Sequence, residues 1–363
     1  MKVFIIYASA GAGHRRVAEA VYNYLKERRP ELEIRIIDIL DKANSVLRFD
    51  YTKGYAFLIR HAVWLWSFAF WLTETKALRP LSRLVSSLAD RVSARQFSNF
   101  LVRENPDYVI STHFLPSGIA VYLKNKGRIS SFVMTIITDF GVHPFWIWEG
   151  TDLYMAASEF TKGKLLKEGV SEKKIKVSGL PADMKFLKKF DRVSLAAKIG
   201  IAADKFTVLL MTGSFGTGPL EEISGLLCRD LQVLVVCASN KKLYERMNEI
   251  NLPNTKVFGF VDNPEELMAV SDVILTKPGG STIAEIIDME LVPVFISAIP
   301  GQEEGNVEAL AKAGIGLAPR GIYEIRDLIL DFKDHPEKLK KAKEAVRQIK
   351  KPYACQEISG VIR

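Results

Sequence analysis

The chain of 363 residues is poor in cysteine and in long apolar runs, and its first half is poor in acidic charge. Its three cysteines, Cys228, Cys237 and Cys355, form no Cys-x-x-Cys pair. That excludes a disulfide framework and a cysteine zinc site, and it fits a reducing compartment. No stretch of 18 apolar residues occurs, so no transmembrane helix is predicted; the nearest approach is the 11-residue run Ala62–Leu72. Val3 to Tyr7 are apolar but lack a cleavage pattern, so they read as a first strand rather than a targeting peptide. There is no Asp-x-Asp, the usual divalent-metal clamp for a nucleoside diphosphate, and no Walker lysine pattern. The dinucleotide signature Gly-x-Gly-x-x-Gly is also missing, because Arg16 stands where its last glycine belongs. No internal repeat or low-complexity segment is present.

Hydrophobic residues at 48% and charged residues at 25% are globular averages, and the length allows two or three domains. The net charge of +8 is unevenly distributed. Residues 1–180 hold 26 basic and 17 acidic side chains, a net of +9; residues 181–363 hold 24 and 25, a net of −1. An anionic surface would therefore meet the first half.

Short β-rich runs alternate with helical spacing. One series comprises Val3–Ala8, Glu33–Ile39, Tyr108–Ser111, Phe132–Thr138, Leu153–Ala156 and Lys176–Ser178. A second comprises Phe206–Thr212, Gln232–Cys237, Lys256–Phe258, Val273–Thr276, Val292–Ile296 and Gly316–Ala318. Such alternation predicts an α/β fold of two doubly wound parallel sheets, with ligands beyond the carboxyl ends of the strands. Turn-forming Ser178-Gly179-Leu180-Pro181 and the charged stretch after it place the hinge near 179–195. Two helices close the chain, Glu337–Lys351 and Ala354–Val361, parted by Pro352.

Residues 45–103 break the alternation as a long insertion. Nine basic residues stand there against Asp50, Glu74 and Asp90, and three of the chain's five tryptophans lie within eight residues. Arg60, Trp64, Trp66, Phe70 and Trp71 have the make-up of an interfacial segment, in which rings sit at headgroup depth and basic side chains attract anionic lipid. A buried helix or a dimer interface are the alternatives. Nucleic acid is not expected, since no binding module accompanies the basic excess.

Four turns carry residues suited to chemistry. The first strand runs into Ser9-Ala10-Gly11-Ala12-Gly13-His14, with the helix Arg15–Arg29 after it, which puts a histidine at the carboxyl edge of the sheet. A histidine there suits a general base. Thr212-Gly213-Ser214-Phe215-Gly216-Thr217-Gly218 can wrap a phosphate or a sugar. Lys277-Pro278-Gly279-Gly280-Ser281-Thr282 precedes the helix Ile283–Met289, so the amides of Gly280, Ser281 and Thr282 are placed to meet an anion. Glu285, one turn on, is placed to accept ribose hydroxyls. Ala298 through Asn306 offers an amide and carboxylates suited to sugar hydroxyls.

The Gly-rich turn with His14, Pro278-Gly279-Gly280-Ser281-Thr282 with Glu285, and Pro300-Gly301-Gln302-Glu303-Glu304-Gly305-Asn306 together resemble glycosyltransferase family 28. Thr138-Asp139-Phe140-Gly141-Val142-His143-Pro144 through Trp146 is similar to a stretch of its monogalactosyldiacylglycerol synthases and bacterial diacylglycerol glucosyltransferases. The resemblance covers nearly the whole chain; the family's three consecutive glycines before the histidine are interrupted here by Ala12. It implies a GT-B fold, with an acceptor domain over 1–182 plus a C-terminal helix at about 346–363, and a donor domain over 183–345. It further implies an inverting, metal-independent enzyme with no cofactor, peripheral on the cytoplasmic face of a membrane. That enzyme would move a hexose from UDP-glucose or UDP-galactose to diacylglycerol.

Carried over by motif, His14 would be the base, and Gly11, Gly13, His113, Asp139 and His143 would line the acceptor side. Gly213, Ser214, the Phe260 and Val261 backbone, Gly279–Thr282 and Glu285 would hold UDP, and Gln302 with Glu303 the hexose. A muramyl-type N-acetylglucosaminyltransferase is the alternative enzyme on this fold. UDP-sugar 2-epimerases share it but lack use for an aromatic insertion. A catalytically silent nucleotide-sugar-binding membrane scaffold is the alternative outside enzymology.

Overall fold

The computed structural model describes residues 1–9, 11–49, 51, 54, 62, 64, 93–296 and 303–363, apart from the side chain at position 46. Two compact units are present. The first contains Met1–Met184, a short stretch ending at Asn306, and Lys351–Arg363; the second contains Lys185–Ala298 and Val307–Lys350.

The first unit is built on six parallel strands, β1 (Lys2–Tyr7), β2 (Glu33–Asp38), β3 (Tyr108–Ser111), β4 (Phe132–Ile136), β5 (Leu153–Ala156) and β6 (Ile175–Val177). Their order is β2-β1-β3-β4-β5-β6. β1 reads Lys-Val-Phe-Ile-Ile-Tyr and buries its four inner residues, as a strand covered on both faces must. The helix Ala12–Arg28 turns Val17, Ala18, Val21 and Leu25 into the core, and the chain's last helix, Ala354–Ser359, buries Ala354, Cys355 and Ile358. Arg29 ties the two regions by donating to the Ile362 carbonyl at 3.1 Å.

The second unit has five parallel strands, β7 (Thr207–Met211), β8 (Gln232–Val236), β9 (Thr255–Phe258), β10 (Val273–Thr276) and β11 (Val292–Phe295), in the order β11-β10-β7-β8-β9. Every residue of β7 and β8 is buried. Arg192 fastens the start of this unit with a two-pronged pair to Asp272, both contacts 2.9 Å, and Asp272 also accepts the Thr207 amide at 2.8 Å.

The expected α/β class with two doubly wound parallel sheets is what the chain adopts, with three local departures. Gly316–Ala318 is not a strand: only an isolated bridge joins Leu317 to Val294. Gly314 and Gly316 take φ of 76° and 75°, which interrupts an extended backbone on both sides of Ile315. The first helix starts at Ala12, not Arg15, so His14 lies within its first turn. Likewise the helix expected from Ile283 begins at Gly280.

Both ends of the insertion are anchored in the first unit. Leu47 is buried, and the helix Arg95–Glu104 turns Phe97 and Leu101 into the first unit's core. Of the residues expected at a membrane, Trp64 is 72% exposed, and Arg60, Trp66, Phe70 and Trp71 lie outside the described residues. Among the described residues no helix is long and apolar enough to cross a membrane.

Candidate active site

In an open parallel sheet the strand order reverses at one point, and the crevice outside the carboxyl ends opens there. In the first sheet that point lies between β1 and β3, and the segments that leave those two strands carry His14 and His113.

The two segments are stitched together across the reversal. The Thr112 hydroxyl donates to the His14 carbonyl at 2.9 Å, and His14 Nδ1 lies 2.8 Å from the Thr112 carbonyl. A carbonyl oxygen only accepts, so Nδ1 carries the proton in the neutral ring and the lone pair resides on Nε2. Thr138 Oγ1, just beyond β4, lies 2.9 Å from the same Nδ1 and fixes the ring from the other side. The half-buried His14 has its pKa lowered by burial, opposed by the nearby Asp139 carboxylate and by the Thr112 hydrogen bond. The geometry therefore delivers a neutral imidazole with a defined basic nitrogen and the Asp139 carboxyl group close by.

His113 has the opposite tautomer. Its Nδ1 accepts the Leu115 amide at 3.1 Å, capping the helix Phe114–Asn125, so its proton sits on Nε2. Burial and neighbouring His14 hold its pKa well below the usual range. The two rings meet edge to face, centroids 4.6 Å apart, and Tyr51, Phe114 and Trp146 surround His113. His143 caps the short turn Pro144–Trp146 by accepting the Phe145 amide at 3.2 Å. Gly11 is extended at φ 178° and precedes the helix, while Gly13 lies inside its first turn. Asp139 has its pKa raised by burial, which a hydrogen bond from Asn306 and the His14 ring oppose.

The second sheet reverses between β7 and β10. The turn after β7 needs its glycines: Gly216 has φ of 54°, and a Cβ there would fall 2.0 Å from the Cys237 carbonyl oxygen. Asn240 donates to the Gly216 carbonyl at 3.0 Å, and Ser239 Oγ to the Ser214 carbonyl at 2.7 Å, so this turn is anchored to the end of β8. After β10, the first intrahelical bond runs from the Ile283 amide to the Gly279 carbonyl at 2.9 Å. The amides of Gly280, Ser281 and Thr282 are thus the open donors of this helix. Glu285 is buried on the same helix, next to Asp288, whose carboxyl burial pushes up to about 7. Phe260 and Val261 follow β9 at the same edge, with the Phe260 ring 66% exposed. Glu303 is buried, and Gln302 lies outside the described residues.

Three contributors were missed as individual residues. Lys277 Nζ donates to Thr217 Oγ1 at 2.7 Å and places a cation between the two turns of the second unit. The Thr212 hydroxyl is buried beside Gly213 with no partner among the described residues. Asn306, fully buried, accepts the Phe140 amide at 2.7 Å and donates to Asp139 at 3.0 Å. Local spacing carries no signal for the last, because its partners lie more than 160 positions away.

Residues 14–182 match the family model described as monogalactosyldiacylglycerol (MGDG) synthase, and residues 207–357 match the glycosyltransferase family 28 C-terminal domain. The chain is 31% identical to monogalactosyldiacylglycerol synthase 1, chloroplastic, of Arabidopsis thaliana over 91% of its length, and it spans 64% of that relative. It is 31% identical to the same plant's monogalactosyldiacylglycerol synthase 3, covering 98% of this chain and 79% of the relative. With the processive diacylglycerol beta-glucosyltransferase of Bacillus mycoides it shares 28% identity over 99% of this chain and 93% of the relative. Acinetobacter baumannii MurG shares the fold at a TM-score of 0.63 and 14% identity, over 99% of both chains. An S. aureus MnaA–UDP co-structure does so at 0.65 and 15%, over 99% of this chain and 95% of the other. These likenesses identify the two Rossmann-like units as a GT-B fold.

Proposed function

The chain belongs to the monogalactosyldiacylglycerol synthase family, with a family 28 C-terminal domain, and on that premise we propose that it glycosylates diacylglycerol. The donor is UDP-glucose or UDP-galactose, the configuration at the anomeric carbon is inverted, and the enzyme works as a peripheral protein on the cytoplasmic face of a membrane. The observation that carries the reading is the commitment of His14 Nδ1 to the Thr112 carbonyl, which leaves Nε2 as the basic atom.

In the reaction, His14 Nε2 takes the proton of the lipid hydroxyl as its oxygen attacks the anomeric carbon. The bond from that carbon to the diphosphate breaks on the opposite face, and its electron pair leaves with UDP. A single displacement inverts the configuration. Asp139 favours the imidazolium that forms. Charge on the departing diphosphate is met by the Gly280–Thr282 amides and their helix dipole, with Lys277 as an adjacent cation. Glu285 accepts from ribose hydroxyls, the Phe260–Val261 backbone serves uracil, and Gln302 with Glu303 the hexose. These donors would meet the leaving group's charge without a divalent metal. The basic, aromatic insertion supplies membrane contact.

Removing the base tests this. His14→Ala should bind UDP normally yet lose about 10²–10⁴-fold in kcat, the usual worth of general base catalysis. Because burial lowers the His14 pKa, the wild-type acid limb should lie below the ordinary histidine range, activity falling as the ring protonates. A His14→Ala enzyme with near-normal turnover overturns the assignment.

A further inference from the structure

The segment Glu303–Asn306, which the resemblance assigns to hexose contact, ends in a side chain that is turned away from solvent and wholly engaged with the first unit. Asn306 Oδ1 accepts two amides, from Phe140 at 2.7 Å and Gly141 at 3.3 Å, and Nδ2 donates to Asp139 Oδ1 at 3.0 Å. Gly141 and Gly305 approach so closely that a Cβ on either would lie 3.0 Å from the other's Cα. On its far side the same turn is held by Thr161, whose hydroxyl donates to the Phe140 carbonyl at 2.9 Å. Two residues before Phe140, Thr138 holds His14 Nδ1. Four consecutive residues, Thr138 to Gly141, therefore connect the imidazole to the carboxamide.

We propose that Asn306 is a positioning residue of the transfer site: its buried carboxamide fixes the Thr138–Gly141 turn and orients the Asp139 carboxylate that stabilises protonated His14. The proposal rests on the reading of His14 as the base. A carboxamide suits the role because one group supplies both the acceptor for two amides and the donor for the carboxylate. The donor stabilises Asp139 as an anion, and this opposes the burial that favours its protonated form. The other titratable groups of the surrounding elements are His14 on the first helix, His113 at the start of Phe114–Asn125, His143 on the turn after Gly141, and Glu303 and Glu304 beside Asn306. Since Glu303 precedes Asn306 in one turn, sealed by the Asn306 amide donating to the Glu303 carbonyl at 3.0 Å, hexose contact and base orientation share a single backbone segment.

Asn306→Asp keeps the size and the acceptor oxygens but replaces the donor with a like charge; Asn306→Ala removes both functions. In the full-length enzyme, with diacylglycerol vesicles and saturating UDP-hexose, the two variants should move the acid limb of kcat in opposite directions: to lower pH in Asn306→Ala, where a more readily protonated Asp139 supports the His14 imidazolium less, and to higher pH in Asn306→Asp, whose added charge favours it. Each unit of displacement changes the rate at a fixed pH on that limb about tenfold. The dissociation constant for UDP, whose proposed contacts lie on other segments, should stay within about twofold of wild type, which a general loss of structure would not allow. The titration of Asp139, followed by 13C NMR of labelled aspartate and identified by its loss in Asp139→Asn, should move upward in both variants. Unmoved Asp139 titration and an unmoved acid limb in folded Asn306→Asp overturn the proposal. A displaced Asp139 titration with an unmoved acid limb upholds the positioning role and instead removes His14 as the base.

Discussion

Gly141→Ala is a perturbation of one methyl group whose consequence is set by a single contact. The new Cβ would stand 3.0 Å from Gly305 Cα, 3.4 Å from Gly305 C and 3.9 Å from the Asn306 nitrogen. Carbon pairs settle at about 3.5–4.0 Å, so the two segments must part by roughly half an ångström. The bond from the Gly141 amide to Asn306 is already 3.3 Å and would not survive that shift. Its loss costs about 1 kcal/mol and the overpacking about 1–3 kcal/mol, against about 0.4–1 kcal/mol regained because alanine has less freedom when unfolded. The strain wins, and the net destabilisation is about 1–3 kcal/mol. The urea midpoint of the first unit's transition, followed by tryptophan fluorescence, reads it. Gly305→Ala meets the same gap from the other side, at 3.0 Å from Gly141 Cα, so the double variant should cost clearly less than the sum. An unchanged midpoint for Gly141→Ala, or strict additivity of the pair, would refute the reasoning.

Two further outcomes follow from the proposed roles. Glu285→Ala should raise the dissociation constant for UDP, measured by calorimetry, by about tenfold through loss of charge-assisted bonds to ribose; an unchanged affinity defeats the ribose assignment. The protein should float with vesicles containing phosphatidylglycerol and release as salt is raised, because each basic residue near an anionic surface contributes about 1 kcal/mol that screening removes. Indifference to vesicle charge contradicts membrane docking through the basic insertion.

The parallel sheets were legible because their strands are buried on both faces and so read as short continuous apolar runs, as in Val208–Met211 and Val233–Val236. Gly316–Ala318 misled because Leu317 and Ala318 are apolar yet exposed, and the glycine dihedrals that stop the ladder are not visible in composition. Helix starts were displaced toward the N-terminus at both Gly-rich turns, since glycine reads as a breaker even where it lies within a helix's first turn. The kind of residue at each candidate position was readable, and its protonation was not. The tautomer of His14 is set by Thr112, 98 positions away, and the environment of Asp139 by Asn306, 167 away. Such pairings arise only when strand order places distant segments at one sheet edge.

The most direct test of the account is chemical. The purified protein is incubated with diacylglycerol in mixed vesicles and, separately, with radiolabelled UDP-glucose and UDP-galactose, and the extracted lipids are resolved by chromatography. The account predicts that label from one of the two donors enters a hexosyl-diacylglycerol of inverted anomeric configuration, dependent on His14. Failure of both donors to label any diacylglycerol product, with UDP binding intact, would contradict it.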